Sequence, residues 1–599
     1  MNLFNKNYPY HLPLLIAGAV LLLFPALGAV HLFDWDEINF AESAREMLTS
    51  GDYRHVQINY EPFIEKPPLF FWLQVICMKI FGVNEFAARL PNAICGVITL
   101  FLFYKIGKKL YDGLFGFLWA LAYIGSFLPN LYFKSAIIDP VFNLFIFLGL
   151  YFLMQSIWSA DHKKMRESIK NAVFAGLFTG LAVLTKGPVG FLLVFLSFVV
   201  FWINKQEFNK ISKLSFVRVG NWQSVLTYAL VVFFVSCFWF AADVFERGTG
   251  YFIEFINYQI RLFTTPDAGH EQPFFYHFVV VFVGCFPMSA FGLRAFYYKN
   301  VPENNDETTP DPSLARRGVM SPTLQGGVRG GFGNSFRVMM LCIFWVVMII
   351  FSIAQTKIVH YSSMAYFPLS FLCAYALYHL LAENVFVSRW SVFFVAFLGS
   401  VFGLAVTILP IAFQYKEKFF YLIEDDFAVA CLSQDVVWGG WEFLIGAFYL
   451  FCVWLGVYYF SKKMLQKAIL TLFASTAIFL SILAVIIVPK IEAYFQRPMI
   501  EFYKNLAGKD VYAIPFQFKS YAQYFYQKYP KYDNPKAYDY KDKNNVEQWL
   551  LRGADVDKPA YFVIKVNDTL EMKKYEDTNV KKMYQGGGFV FYERQLQKK

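Results

Sequence analysis

LPLLIAGAVLLLFPALGAVHL, residues 12–32, runs straight into Phe33-Asp34-Trp35-Asp36-Glu37. About 20 apolar residues are what a helix needs to cross a bilayer. Three carboxylates directly behind such a stretch put charge at the membrane surface. The run is long for a signal peptide and the acidic motif follows it at once, so it is expected to stay as a helix. Further out come Ala41-Glu42, Ala44-Arg45-Glu46-Met47, Ser50-Gly51-Asp52 and Glu65-Lys66-Pro67-Pro68. Ile38, Ala41, Met47 and Leu48 recur at roughly helical spacing, with Glu42, Arg45 and Glu46 on other faces. The pattern predicts a helix lying along the membrane, and a second one after Pro67-Pro68 that carries Phe70, Phe71, Trp72, Leu73, Ile76 and Ile80. Pro67 restricts the chain just after Lys66.

The whole chain repeats the message of its first segment. Its 599 residues are 57% hydrophobic, 20% aromatic and 16% charged, with a mean hydropathy of +0.40. Soluble domains carry about 25% charged residues, so this is a polytopic membrane protein. A net charge of +10 fits basic cytoplasmic loops and implies no nucleic-acid partner. The eight cysteines, Cys77, Cys95, Cys237, Cys285, Cys342, Cys373, Cys431 and Cys452, sit mostly in apolar runs without a C-x-x-C pair. They read as small core hydrophobes.

By length and hydropathy about 13 segments could span a bilayer: 12–32, 87–105, 113–132, 137–157, 172–186, 187–204, 224–242, 276–295, 337–354, 361–382, 390–413, 440–460 and 467–488. Lys186-Gly187-Pro188 must end a helix. With the N-terminus in the cytoplasm, alternate loops collect Lys105, Lys108 and Lys109, then Lys163, Lys164, Arg166 and Lys170, then Lys205, Lys210, Lys213 and Arg218, then Arg294, Arg316, Arg317, Arg329 and Arg337. The opposite loops hold fewer basic residues over longer sequence, so the positive-inside rule favours this orientation. The Pro/Gly/Asn-rich stretch 301–333 reads as a cytoplasmic loop. The tail is different material. Val511–Phe516, Tyr561–Val566 and Phe589–Tyr592 read as strands and Ser520–Tyr529 as a short helix. The expected division is a membrane domain, 1–489, and a small soluble α/β periplasmic domain, 490–599, of about 100 residues.

The unusual polar residues then fall on one, non-cytoplasmic side. Asp34, Asp36 and Glu37 close the first span, Glu65 and Lys66 follow, Lys134 and Asp139 flank the fourth, and Lys186 ends the fifth. Asp243, Arg261, Asp267 and His270 occupy a later loop; Gln355, Lys357, His360 and Tyr361 open the tenth span. Ionisable residues at span ends that share a face suggest a site. A carboxylate there could act as a general base, and lysines could hold a phosphate and stabilise it as a leaving group. No phosphate-binding G-x-x-x-x-G-K-[ST] or dinucleotide glycine pattern occurs. The activated donor would therefore arrive in the membrane, and a lipid-linked phosphosugar fits.

Asp36-Glu37, Ala41-Glu42, Ala44-Arg45-Glu46-Met47, Ser50-Gly51-Asp52 and Glu65-Lys66-Pro67-Pro68 together resemble the bacterial lipid A aminoarabinose transferases. These sit within the polyprenyl-phosphate-sugar-dependent superfamily that includes the protein O-mannosyltransferases. The resemblance continues through Ala88-Arg89-Leu90-Pro91, Asp139, Leu184-Thr185-Lys186-Gly187-Pro188, His270 with Gln272-Pro273, and Lys357 with Tyr361. It implies an all-α, GT-C-like membrane body of about 13 helices with a C-terminal periplasmic domain. It further implies that Asp36 and Asp139 are catalytic, that Lys66, Lys186, Tyr361 and Lys357 hold the donor phosphate, and that Glu65 and His270 can bind a divalent metal ion such as zinc. Two departures stand out: Asn39 replaces an arginine, and Phe63 replaces a tyrosine.

The leading expectation is an integral glycosyltransferase of the bacterial inner membrane. It moves a sugar from a polyprenyl-phosphate donor to lipid A, another glycan or a protein at the periplasmic face. One alternative is a protein O-mannosyltransferase-like enzyme acting on Ser/Thr. Another is a lipid or glycan flippase, which would predict paired charges at mid-membrane; the interiors of spans such as 337–354 and 467–488 lack charges.

Overall fold

In the computed structural model the described residues are 3–212, 222–265, 272–297, 327–383, 387–529, 531–538, 543–575 and 579–596. The stretch 301–326 of the expected cytoplasmic loop lies outside them, and so does His270. Among the described residues nine helices are long and apolar enough to cross a membrane, and Tyr276–Gly284 with Met288–Phe296 forms a further pair bent by 104°. The chain is a multi-pass membrane protein. The remaining expected segments are shorter apolar helices: α1 (His11–Leu23), α5 (Gly113–Ile124) and the apolar part of α9 (Val189–Ser212). Segment 12–32 is thus helical only to Leu23, and the residues behind it turn into the site loop.

The helices that frame the site are α2 (Asp36–Ser50), α3 (Leu69–Phe81), α4 (Glu85–Leu110), α6 (Phe127–Tyr132), α7 (Asp139–Asp161), α8 (Met165–Lys186), α10 (Trp222–Arg247) and α11 (Thr249–Thr264). Phe233, Phe234 and Phe238 on α10 point outward, as apolar side chains facing lipid do. The α8–α9 break falls at the predicted place. Gly187 caps α8 at φ +90°, and a β-carbon there would lie 3.0 Å from Phe255 Cζ. Glycine alone takes that backbone without strain.

α2 departs from expectation. It does not lie on a membrane surface, because every residue from Glu37 to Met47 is buried. Its polar side is covered and hydrogen-bonded. Arg45 donates from Nε and Nη2 to the two carboxylate oxygens of Glu42, at 2.6 Å each, and from Nη2 to the Tyr529 carbonyl at 3.1 Å. Glu46 accepts the amides of Asn59 at 2.6 Å and Tyr60 at 2.8 Å, in the turn between β1 (Gln57–Ile58) and β2 (Glu61–Pro62). Buried charge persists only when paired this way. α3 begins after Pro67-Pro68 as predicted, and leaves Ile76, Ile80 and Phe81 exposed.

The C-terminal part holds a four-stranded sheet. Its strands are β3 (Tyr512–Pro515), β4 (Ala560–Lys565), β5 (Val580–Gly586) and β6 (Phe589–Arg594), in spatial order β3-β4-β6-β5. β3 and β4 are parallel and the other pairs antiparallel. Alternation decides the packing. Phe562, Ile564, Val590 and Tyr592 meet Leu550 and Leu551 in a local core. Val563, Phe589 and Phe591 face the other way, into a core that continues through Ile500, Phe502 and Phe525 to the helical body. The sheet is therefore seated on the membrane part by its own second face.

Candidate active site

The site begins with two adjacent carboxylates at the N-terminus of α2, where the helix dipole favours negative charge. Glu37 is locked. Its carboxylate accepts from Arg89 Nε at 3.0 Å and Nη2 at 2.7 Å, and from the amides of Phe33 at 2.9 Å and Ala136 at 2.6 Å. Burial alone would raise its pKa, but the Arg89 charge and these bonds hold it below the usual carboxylate range. Arg89 also donates to the carbonyls of Leu27, Val30 and His31. One ion pair thereby fixes the loop behind α1 and the turn before α7.

Asp36 is loose by comparison. Its side chain is 43% exposed, and its nearest titratable neighbour is His360, whose Nε2 lies 3.6 Å from Oδ2. The same His360 nitrogen lies 3.9 Å from Asp139 Oδ2. Asp139 opens α7 and accepts from Lys186 Nζ at 2.6 Å. Lys186 lies over the Tyr361 ring at 5.0 Å and over Phe142 at 5.6 Å. Lys66 Nζ is 3.7 Å from Glu65 Oε2 and 5.4 Å from the Tyr258 ring on α11. Lys134 donates to Ser481 Oγ at 3.1 Å, and burial pushes its pKa down to about 8.

These side chains surround one cavity of about 810 Å³, whose wall includes Asp36, Glu65, Lys66, Asp139, Lys186 and Tyr361. Five separate stretches of sequence meet there. Lys357 is the exception among the residues predicted for the phosphate. It is buried between the wall residues Thr356 and Ile358, and alternation along this extended segment turns it away. It sits within electrostatic reach of His277 instead. Among the described residues no group of three His, Cys, Asp or Glu could hold a metal ion; His270, the expected partner of Glu65, lies outside them.

Sequence reasoning gave no role to four residues of this wall. His360 and Lys134 stood in the polar clusters without an assignment; Lys519 and Tyr521 come from the C-terminal part, where no motif marked them. Lys519 Nζ lies 4.8 Å from the Trp35 ring and 5.4 Å from the Tyr521 ring. Asp34 ties the two segments, since its Oδ1 accepts the amides of Trp35 at 2.8 Å and Tyr521 at 3.0 Å.

Residues 65–239 match the family model described as dolichyl-phosphate-mannose-protein mannosyltransferase. An undecaprenyl phosphate-alpha-4-amino-4-deoxy-L-arabinose arabinosyl transferase of Photorhabdus laumondii is 27% identical over 269 residues, 44% of this chain and 46% of that protein. The transferase of the same name from Edwardsiella ictaluri is 25% identical over 361 residues, 59% of this chain and 57% of its own. The chain spans about half the length of the curated relatives it matches. Similarity of fold extends further. ArnT from Cupriavidus metallidurans bound to undecaprenyl phosphate superposes with a TM-score of 0.71 at 16% identity, covering 97% of this chain and 98% of that one. Its apo form gives 0.71 at 15% identity and 98% coverage of both. The chain thus has the fold of ArnT from end to end, and its sequence resembles the aminoarabinose transferases and the mannosyltransferase family over part of its length.

Proposed function

We propose that this protein is a membrane glycosyltransferase that moves a sugar from undecaprenyl phosphate, or a closely similar polyprenyl phosphate, to lipid A. The observation that carries the reading is the meeting of Asp36, Lys66, Asp139, Lys186 and Tyr361 on one cavity wall. Relatives named as 4-amino-4-deoxy-L-arabinose transferases support a pentose as the sugar. In this reading Asp36 takes the proton of the acceptor hydroxyl as its oxygen attacks the anomeric carbon. The bond from that carbon to the phosphate oxygen breaks, and polyprenyl phosphate leaves with the electron pair. Lys66, Lys186 and Tyr361 offset the charge that grows on the leaving phosphate, which is where fixed donors lower a barrier. Asp139 holds Lys186 in place and, with Asp36, brackets His360. The N-terminus is cytoplasmic, the cavity opens at the periplasmic face of the inner membrane, and residues 490–599 form a periplasmic domain. The basic loops support that orientation, and Lys519 on the cavity wall supports a C-terminal part on the same side as the site.

The test is reconstitution of the full chain in lipid nanodiscs with undecaprenyl-phosphate-linked aminoarabinose and lipid A. Mass spectrometry should show lipid A gaining one pentosyl unit, with undecaprenyl phosphate released in equal amount. Transfer to a Ser/Thr peptide in place of lipid A would overturn the acceptor, and release of neither product would overturn the activity.

A further inference from the structure

Asp36 has neighbours of two kinds. Through His360 it meets Asp139, and through Asp139 it meets Lys186. In the other direction the chain runs back into Trp35, whose indole is 43% exposed and whose φ is +77°. Side chains with a β-carbon rarely take that conformation, and it is held here by the Asp34 bonds to the amides of Trp35 and Tyr521. Tyr521 meets the indole edge-on at 6.2 Å.

The cations of the cavity also differ. Lys186 has Asp139 at 2.6 Å and Lys66 has Glu65 at 3.7 Å. Lys519 is exposed, and among the described residues no carboxylate lies within ion-pair distance of it. Asp34 feels its field from further off. Its positive charge is shared only with the π faces of Trp35 and Tyr521, so it is open to an incoming anion.

We propose that Trp35, Lys519 and Tyr521 form the acceptor subsite of this cavity, taking a sugar ring that carries a phosphate. In a single displacement the acceptor oxygen approaches the anomeric carbon from the face opposite the leaving phosphate, within hydrogen-bond reach of the base. With the donor's phosphate assigned to Lys66 and Lys186, the acceptor falls to the Trp35 side of Asp36. Aromatic faces present flat apolar area to the C–H face of a sugar, and the ammonium meets an anionic substituent. A neutral Ser/Thr side chain would use neither. The proposal rests on the glycosyltransfer reading and deepens it, because it makes the C-terminal part a reader of substrate.

The experiment measures direct binding to the full chain in nanodiscs, without turnover, so that it can succeed or fail apart from the transfer assay. The probes are lipid A, lipid A stripped of its phosphates, and undecaprenyl phosphate. Wild type should prefer phosphorylated over stripped lipid A by about tenfold, the value of one hydrogen bond to a charged group. Lys519→Gln should erase that preference, and Lys519→Arg should keep most of it. Trp35→Leu should weaken both lipid A forms several-fold and leave the phosphate preference intact. Undecaprenyl phosphate should bind all four proteins within about twofold. A preference that survives Lys519→Gln, or a loss of undecaprenyl phosphate binding in its place, would overturn the assignment.

Discussion

Asp36 and Glu37 are chemically almost the same residue, one position apart, and the fold treats them in opposite ways. Glu37 is buried and its carboxylate is saturated by an arginine and two backbone amides, although it borders the same cavity. Asp36 is half open to a cavity, with only a distant histidine beside it. A carboxylate with all its lone pairs occupied holds structure together and cannot easily take a proton. One left under-coordinated beside a cavity keeps that capacity. The pair teaches that within a motif the residue with fewest partners is the candidate for chemistry, and the best-bonded residue is its scaffold.

The sharpest way to break this contrast is to exchange the consequences. Asp36→Asn should cut turnover by about 10²–10⁴-fold while leaving thermal unfolding of the purified protein unchanged, because the side chain supports little. If Asp139→Asn abolishes transfer and Asp36→Asn costs only a few-fold, the base is Asp139 and the contrast is misassigned.

Arg89→Met should behave in the reverse sense. It strands a buried Glu37 and should cost about 3–5 kcal/mol, seen as a large fall in melting temperature. Glu37→Leu combined with Arg89→Met should recover much of that loss. The pH dependence has a definite sign. Glu37 has a depressed pKa in the folded state. Its contribution is therefore complete above its ordinary value of 4.5 and is lost as pH falls through the lower folded value. Melting followed from pH 7 downward should show wild type losing stability more steeply than the Leu/Met double variant as the pH falls from 4.5 towards that folded value.

A smaller effect should come from the other ion pair. Lys186→Ala should weaken undecaprenyl phosphate binding by about tenfold, on the order of one charge-assisted hydrogen bond. Lys66→Ala should do about the same, and the double variant should lose less than the product of the two, because both groups share one ligand. Fully multiplicative losses in equilibrium binding would mean that the lysines serve separate sites.

Much of this was legible before any coordinates. Each expected apolar segment contains an apolar helix, though 12–32 stops at Leu23 and 276–295 is bent, the Lys186-Gly187-Pro188 break falls where proline and glycine require it, and the polar residues at span ends do converge. Hydropathy could not show that α2 is buried, because its charged face is covered by a tail hundreds of residues away and its own pattern reads as amphipathic. Nor could spacing separate Lys357 from Lys186, since the alternation of an extended segment decides which side chain faces the cavity. β5, Val580-Lys581-Lys582-Met583-Tyr584-Gln585-Gly586, went unread for a different reason. Its side chains from Lys581 to Gln585 are all exposed, so no alternation of apolar residues marks it. Lys519 lay in a stretch without any motif, and only the docking of the sheet brings it to Trp35.

The bond from Arg45 to the Tyr529 carbonyl joins residues 484 positions apart, and it has a consequence for how the protein is made. The loop bearing Asp36 is synthesised long before Tyr529, and the helix behind it stays unsealed, with Arg45 lacking one of its acceptors, until that later stretch has folded upon it. A nascent chain interrupted before Tyr529 would carry Asp36, Lys66, Asp139, Lys186 and Tyr361 in an unfinished shell, and the cavity would be complete only once the later stretch had arrived.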